Sequence, residues 1–250
     1  MNRRPSGESR GTRLAAHYDA LYAGTGFGDA PRFYRWIARL ALPVAPPGDP
    51  PRILDIGCGA GGMLRAWAER GVPAVGLDFS ARALASAPSG AARIRGDGTA
   101  LPFAEGSFDL VTNLGNLEHF DDLAAGIREM RRVLSAEGTA WVLLPNLLYS
   151  GTVWRVIRGG EGPNHHQPID RFATREEWAA WLSWGGLSVE KVTPYHKGKR
   201  WKRLLPSALA WHFLYRCRRS APGSGPPPPA PLGRRAPEVD APTDDTPAGR

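Results

Sequence analysis

The sequence predicts a doubly wound, open α/β sheet, on three observations. Strand-like and helix-like segments alternate from Arg52 to Leu144, which requires parallel strands joined by right-handed crossovers. The stretch Ile53 to Gly62, ILDIGCGAGG, carries an apolar strand into a glycine turn. Acids stand at successive strand ends, at Asp55, Asp78 and Asp97, on the sheet edge where such folds bind ligands.

The 250 residues, 42% hydrophobic with nine Trp, suffice for one sizeable core. The expected organisation is a disordered N-terminus (1–13), a core domain (14–195), a basic amphipathic helix (196–219) and a disordered Pro-rich tail (220–250), which holds nine of the 24 prolines. Cys58 and Cys217 make neither a disulfide framework nor a metal finger, which fits a reducing cytoplasm. No apolar run follows the basic N-terminal residues, and no stretch of about 20 apolar residues suggests a membrane span. The net charge of +8 is local: residues 191–219 hold nine bases and no acid, so the high overall pI does not mark the whole chain as a nucleic-acid binder.

The elements follow in order. HYDALYAGTGFGDAPRFYRWIARLAL reads as two helical pieces around a glycine-rich flap, with Phe33, Trp36, Ile37 and Leu40 at helical spacing. Pro43 to Pro51 is a linker. Arg52–Ile56 is the first strand, and a helix from about Gly61 to Arg70 turns Leu64 and Trp67 to one face. A strand from Pro73 ends in Asp78, a short helix spans Ala81–Ala87, and the strand Ala92–Arg95 leads to Asp97. Leu101–Phe103 is loop, and Phe108–Asn113 the fourth strand. Asp121 or Asp122 caps a helix with Ile127, Met130 and Leu134 inside, and Glu137–Gly138 turns into the strand Thr139–Leu144. Residues 146–172 form an irregular inserted lid. Thr174 and Glu177 make a capping box for TREEWAAWLSW, Gly185 and Gly186 end that helix, and Leu187–Val192 is a strand.

GCGAGG by itself suits several nucleotide cofactors, since a glycine turn opening onto a helix presents N–H groups to a polar ligand. The acids narrow the choice. Asp55, two residues before Gly57, repels a diphosphate and attracts an ammonium group. Asp78 has the spacing of a carboxylate that accepts both ribose hydroxyls, and Asp97 is placed to take a hydrogen bond from the adenine amino group. An amino-acid end, a ribose and an adenine without phosphate describe S-adenosylmethionine.

In ILDIGCGAGG, VGLDFS, GDGTALPF, SFDLVTNLGNLEHFDD and REMRRVLSAEGTAWVLLPN the chain resembles the class I S-adenosylmethionine-dependent methyltransferases, of the small-molecule type (methyltransferase domain type 11) similar to the ubiquinone and menaquinone biosynthesis enzymes, over about residues 14–195. The resemblance implies a seven-stranded, Rossmann-like, mostly parallel sheet with the last strand antiparallel, an N-terminal helical cap and an inserted lid. It also implies that Asp55 and the backbone of Gly57, Cys58 and Gly59 hold the methionine part. Asp78 takes the ribose, Phe79 lies against the adenine, Asp97 and Gly98 edge the base, and Asn113 sits beside the methionine end. Tyr18 or Tyr22 closes over the cofactor, or packs its helix on the core.

His119, in NLEHF after the fourth strand, is expected either to take a proton from a hydroxyl or ammonium acceptor or to order its loop. The related quinone O-methyltransferases place a carboxylate three residues before the Glu of this Glu-His pair, in a set that can bind a divalent metal. Gly115 stands there instead, which weakens both the metal reading and the quinone O-methylation reading, and no metal is expected. His165, His166, Gln167 and Asp170 are read as substrate contacts or loop polarity, and Trp154, Trp178 and Trp181 as pocket wall or core. The segment KGKRWKRLLPSALAWHFLYRCRR reads as a helix that either lies on an anionic membrane through residues 200–219 or docks on the core. The expectation is a cytoplasmic enzyme, peripheral to the inner membrane surface, that methylates a small or amphiphilic acceptor, lipid-linked in one form, most readily at oxygen. The alternatives are a non-catalytic cofactor-binding module and an RNA methyltransferase that uses the basic segment, although no nucleic-acid-binding motif accompanies the charge.

Overall fold

A computed structural model describes residues 16–20, 30–42, 49–88, 90–163, 167, 169–198 and 200–234. The expected disordered N-terminus, the flap, most of the linker, Tyr22, His165 and His166 lie outside the described residues.

One seven-stranded sheet organises the chain, in the order β3 (Ala92–Arg95), β2 (Ala74–Asp78), β1 (Ile53–Ile56), β4 (Phe108–Leu114), β5 (Leu134–Pro145), β8 (His212–Arg219) and β7 (Leu187–Tyr195). The pairs among the first five are parallel, and β8 runs antiparallel to both β5 and β7. The one reversed strand is the last of the seven in the chain.

Alternate residues of the central strands feed two cores, as the two-residue period of a strand buried on both faces requires. Leu54, Ile56, Val111, Val142, Leu144, Phe213, Tyr215 and Cys217 join Ile127 and Met130 of α4 (Leu123–Val133) and Trp178 and Leu182 of α6 (Arg175–Trp184). Ile53, Leu110, Trp141, Leu143 and Leu214 join Ile37 of α1 (Pro31–Ala41) and Met63 and Trp67 of α2 (Gly62–Ala68) on the other side. Asp122, not Asp121, caps α4, its carboxylate accepting the Ala125 N–H, and the Thr174–Glu177 capping box starts α6.

Three expectations are corrected here. The basic segment 196–219 is not a helix: it makes two short 3₁₀ turns, Arg200–Leu204 and Ser207–Leu209, and then becomes β8. HFLYRCRR lies between β5 and β7, so its apolar residues are core, and Arg218 and Arg216 meet Glu190 of β7 at 3.1 and 3.3 Å. The Pro-rich tail is structured through residue 234. Trp181 and Trp184 donate their indole N–H groups to the carbonyls of Pro229 and Gly225, and β9 (Leu232–Arg234) pairs antiparallel with β6 (Asp170–Phe172) in the lid. Finally, Leu134 begins β5 rather than closing α4. The expected turn at Glu137–Gly138 lies inside β5, where the register with β4 shifts between the pairs Phe108–Leu134 and Leu110–Thr139.

The rest of the lid is α5 (Ser150–Ile157), which follows directly on β5. The short helix α3 (Ala81–Ala85) is capped by Ser80. Asp19, in the helical turn 16–20, accepts the Ser80 hydroxyl and the Arg82 N–H, which fastens the N-terminal cap over the carboxyl ends of the strands.

Candidate active site

The carboxyl ends of β1, β2, β3 and β4 enclose a cavity of about 430 Å³. Of the residues proposed from sequence, Tyr18, Gly57, Cys58, Gly59, Asp78, Phe79, Asp97, Gly98 and His119 line it. Asp55 and Asn113 do not, and both are corrections to the expected contacts. Asp55 is in register with Thr112 on neighbouring strands and accepts its hydroxyl at 2.6 Å, 3% exposed behind the wall. Burial raises its carboxyl to about 7. Asn113 is fully buried, and its side-chain oxygen accepts the N–H of Leu117, so it shapes the turn that carries His119.

The glycine turn also spends its N–H groups differently than expected. Gly57 and Cys58 donate theirs to the carbonyl of Leu77, and Gly59 donates to a carboxylate oxygen of Asp78 at 2.8 Å. The other Asp78 oxygen accepts the Ser80 N–H at 2.8 Å. These three donors are thereby taken up within the protein. Asp78, Asp97, Asp121 and Asp122 face the cavity against Arg65, an acidic lining suited to a cationic ligand such as a sulfonium that carries an ammonium group. Each Asp78 oxygen keeps acceptor capacity beyond its backbone bond, as a ribose diol requires. Burial raises the pKa of this carboxyl. The cavity therefore fits the cofactor implied by the sequence.

The loop with Asp97 and Gly98 is held from both sides. Asp97 accepts the N–H and hydroxyl of Thr99, and Arg132 donates to the carbonyls of Leu101 and Phe103 while Glu129 accepts the Leu101 N–H. Tyr18, with its phenol pushed up by burial and by Glu118, Asp170 and Asp78, closes the cavity from the cap.

His119 lies on a 3₁₀ turn, Leu117–His119, in the cavity wall, with its side chain 11% exposed. Its Nδ1 is 2.6 Å from the carbonyl oxygen of Ile169 and 3.2 Å from Asp170 Oδ1. A carbonyl only accepts, so Nδ1 bears the proton and Nε2 keeps its lone pair. Burial lowers the His119 pKa, Asp170 opposes that, and the neutral imidazole is favoured. Glu118 Oε1 is 3.7 Å from Nε2, and burial lifts this carboxyl to about 8. Arg171 fixes the turn by donating to the carbonyls of Glu118, Phe120 and Asp121.

Sequence reasoning underrated Asp170 and Arg171, which lie some 50 residues from the turn they hold. The only local signal was the DRF that precedes the capping box. Gln167 joins the cavity wall. A Cβ on Gly115 would make ordinary contact with Glu118 Oε1 at 3.7 Å, although the backbone there, at φ 75°, favours glycine. Among the described residues no group of three or more His, Cys, Asp and Glu is arranged to hold a metal ion.

A methyltransferase domain family matches residues 54–142. A demethylmenaquinone methyltransferase of Mycolicibacterium vanbaalenii is 37% identical over 211 residues, spanning 80% of this chain and 90% of that protein. A ubiquinone biosynthesis O-methyltransferase of Pseudomonas aeruginosa is 33% identical over 154 residues, 56% of this chain and 66% of that protein. Among solved structures, an S-adenosylmethionine-dependent methyltransferase from Mesorhizobium loti superposes with a TM-score of 0.56 at 23% identity, over 74% of this chain and 98% of that one, a likeness of fold.

Proposed function

The chain belongs to the class I S-adenosylmethionine-dependent methyltransferases, of the type that includes the demethylmenaquinone and ubiquinone-biosynthesis enzymes, and we propose that it methylates a hydroxyl oxygen of a small or amphiphilic acceptor placed against His119. S-Adenosylmethionine supplies an electrophilic methyl group on a sulfonium. Among the residues that line the cavity, Asp78 would accept the ribose hydroxyls, Phe79 would lie against the adenine with Asp97 and Gly98 at its edge, the backbone of the Gly57–Gly59 turn would border the methionine end, and Tyr18 would cover the site.

The observation that carries the oxygen acceptor is the bond between Nδ1 of His119 and the Ile169 carbonyl, which leaves Nε2 unprotonated on a residue that lines the cavity. As the acceptor oxygen takes the methyl group, Nε2 takes its proton and Asp170 balances the imidazolium. Alignment of the acceptor supplies most of the rate, and the base about 10²–10⁴-fold. The reaction runs in the cytoplasm, where Cys58 and Cys217, both buried, stay thiols.

Labelled S-adenosylmethionine incubated with the enzyme and a host extract, then fractionated, tests the reading. Label is expected in the lipid or small-molecule pool. Label confined to RNA favours the rival that uses the basic segment, and cofactor binding without transfer to any pool favours a non-catalytic module. His119→Gln is expected to lower the rate by about 10²-fold or more and to leave affinity for S-adenosylhomocysteine unchanged.

A further inference from the structure

Six of the seven large hydrophobic residues exposed among the described residues fall in two short segments. Leu148, Trp154, Val156 and Ile157 are 44–70% exposed on and before α5, and Trp201 and Leu204 are 55% and 88% exposed in the 3₁₀ turn Arg200–Leu204. No residue of α5 is fully buried. The two segments are neighbours. Lys202 Nζ lies 3.3 Å from the Tyr149 hydroxyl, and Asn146 donates to the carbonyls of Ala208 and Ala210. Exposed apolar residues gathered in two adjoining segments point to a contact site.

Its rim is basic. The Arg158 guanidinium lies 4.7 Å from the Trp154 ring centre, and the Lys197 ammonium 4.3 Å from that of Trp211. Residues 191–219 contain no acid, and Glu161 is the one acid between 146 and 169.

We propose that this face docks on an anionic lipid bilayer, with Trp154, Ile157, Trp201 and Leu204 entering the headgroup boundary and the lysines and arginines on lipid phosphates. The expected membrane contact is thereby moved: β8 is core, and the exposed apolar residues lie on the lid and the 3₁₀ turn. Tryptophan beside basic side chains on a short amphipathic helix is the composition of interfacial binding. A second copy fits less well, because a symmetric contact would set one basic rim against the other. The face is also well placed for supply. α5 follows the carboxyl end of β5, the sheet edge from which the His119 turn emerges after β4, so an acceptor drawn from the bilayer enters on the side of the base. This partner deepens the amphiphilic-acceptor reading and rests on it.

Flotation of the full chain with vesicles tests the proposal, using phosphatidylcholine alone and an equal mixture of phosphatidylcholine and phosphatidylglycerol, at low and high salt. Binding is expected to the mixed vesicles only, weakened by salt. The variant Trp154→Ala/Ile157→Asp/Leu204→Asp is expected to bind at least about tenfold less while keeping its melting temperature and its affinity for S-adenosylhomocysteine. Wild-type protein that stays off the anionic vesicles overturns the proposal, as does a variant that floats equally well. A dimer in sedimentation that the variant dissolves, or an acidic protein that displaces the vesicles without itself binding lipid, assigns the face to another occupant and likewise overturns it. Cofactor titration of the same preparations separates these failures from failure of the methyltransferase reading, which would remove S-adenosylhomocysteine binding.

Discussion

Asp170→Asn isolates the electrostatic support of the proposed base. Asp170 Oδ1 is 3.2 Å from Nδ1 of His119, and the Ile169 carbonyl, at 2.6 Å, remains to hold the Nδ1 proton in the variant. The tautomer should survive, so the substitution removes charge rather than geometry. At 3.2 Å and an effective dielectric of about 20, the attraction between imidazolium and carboxylate is ~5 kcal/mol, which caps the shift at under about four pKa units. Arg171 acts in the opposite sense on His119, and close opposite charges move a pKa by about one to three units. Loss of the carboxylate lowers the basicity of His119. The acid limb of kcat/KM, followed as S-adenosylhomocysteine release between about pH 5 and 9 with the acceptor fraction that turns over, should therefore move at least about one unit toward lower pH, with a lower plateau. The remaining charged or titratable neighbours, Glu118, Tyr18 and His212, keep their places, although Glu118 also becomes easier to ionise because Asp170 raises its pKa. An acid limb that stays where it is in Asp170→Asn, in a protein that still binds cofactor, refutes the pairing of Asp170 with the base.

Asp78→Ala should weaken S-adenosylhomocysteine binding by about tenfold to a hundredfold in calorimetry, through loss of the ribose acceptor and of the Gly59 and Ser80 bonds; unaltered affinity counts against the ribose contact. Glu118 is raised by burial from 4.5 to about 8, so the folded state favours its protonated form. Its contribution to stability is full below about pH 4.5 and is lost as pH rises through about 8. Glu118→Gln should flatten that decline, and equal urea-midpoint slopes for the two proteins between about pH 5 and 8.5 would show that Glu118 is not the group. Ending the chain after Pro222 removes β9 and the two indole bonds of Trp181 and Trp184, about 2 kcal/mol together, and should lower Tm by roughly 4–8 °C. A melting curve identical to that of the full chain would mean that the tail is not fastened.

The sheet was legible from β1 to β5 because its central strands are buried on both faces, and such strands appear as short apolar runs that end in polar residues at one edge. The same property hid β8. In HFLYRCRR both faces are covered, so no clean alternation remains, and an apolar run flanked by bases looks like an interfacial helix until Glu190 on the neighbouring strand is seen to receive Arg216 and Arg218. Composition argued for disorder in the tail. What holds it is two indole N–H groups on α6 that find backbone carbonyls, and composition does not register such bonds. For Asp55 the motif gave the residue but not its direction: register with Thr112 turns the carboxylate away from the cavity. Asp170 and Arg171 reach the His119 turn only through the folded lid.

The glycines around the cavity do more than admit a ligand. A Cβ on Gly57 would come 2.3 Å from the Asn116 side chain, and one on Gly98 would come 2.3 Å from the Phe120 ring. The Gly57 backbone, at φ 71°, is also one that only glycine adopts without strain. Asn116 in turn donates to the Gly57 carbonyl at 3.0 Å. Gly57 and Gly98 thus seat the two residues that flank the Leu117–His119 turn, and Arg171 holds the same turn by its carbonyls. A larger residue at either position would disturb cofactor and base together, since the loops that hold the one are packed against the turn that carries the other. Through Gly57 the ILDIGCGAGG stretch is therefore packed against the turn that carries the proposed base, by contacts that its own spacing could not reveal.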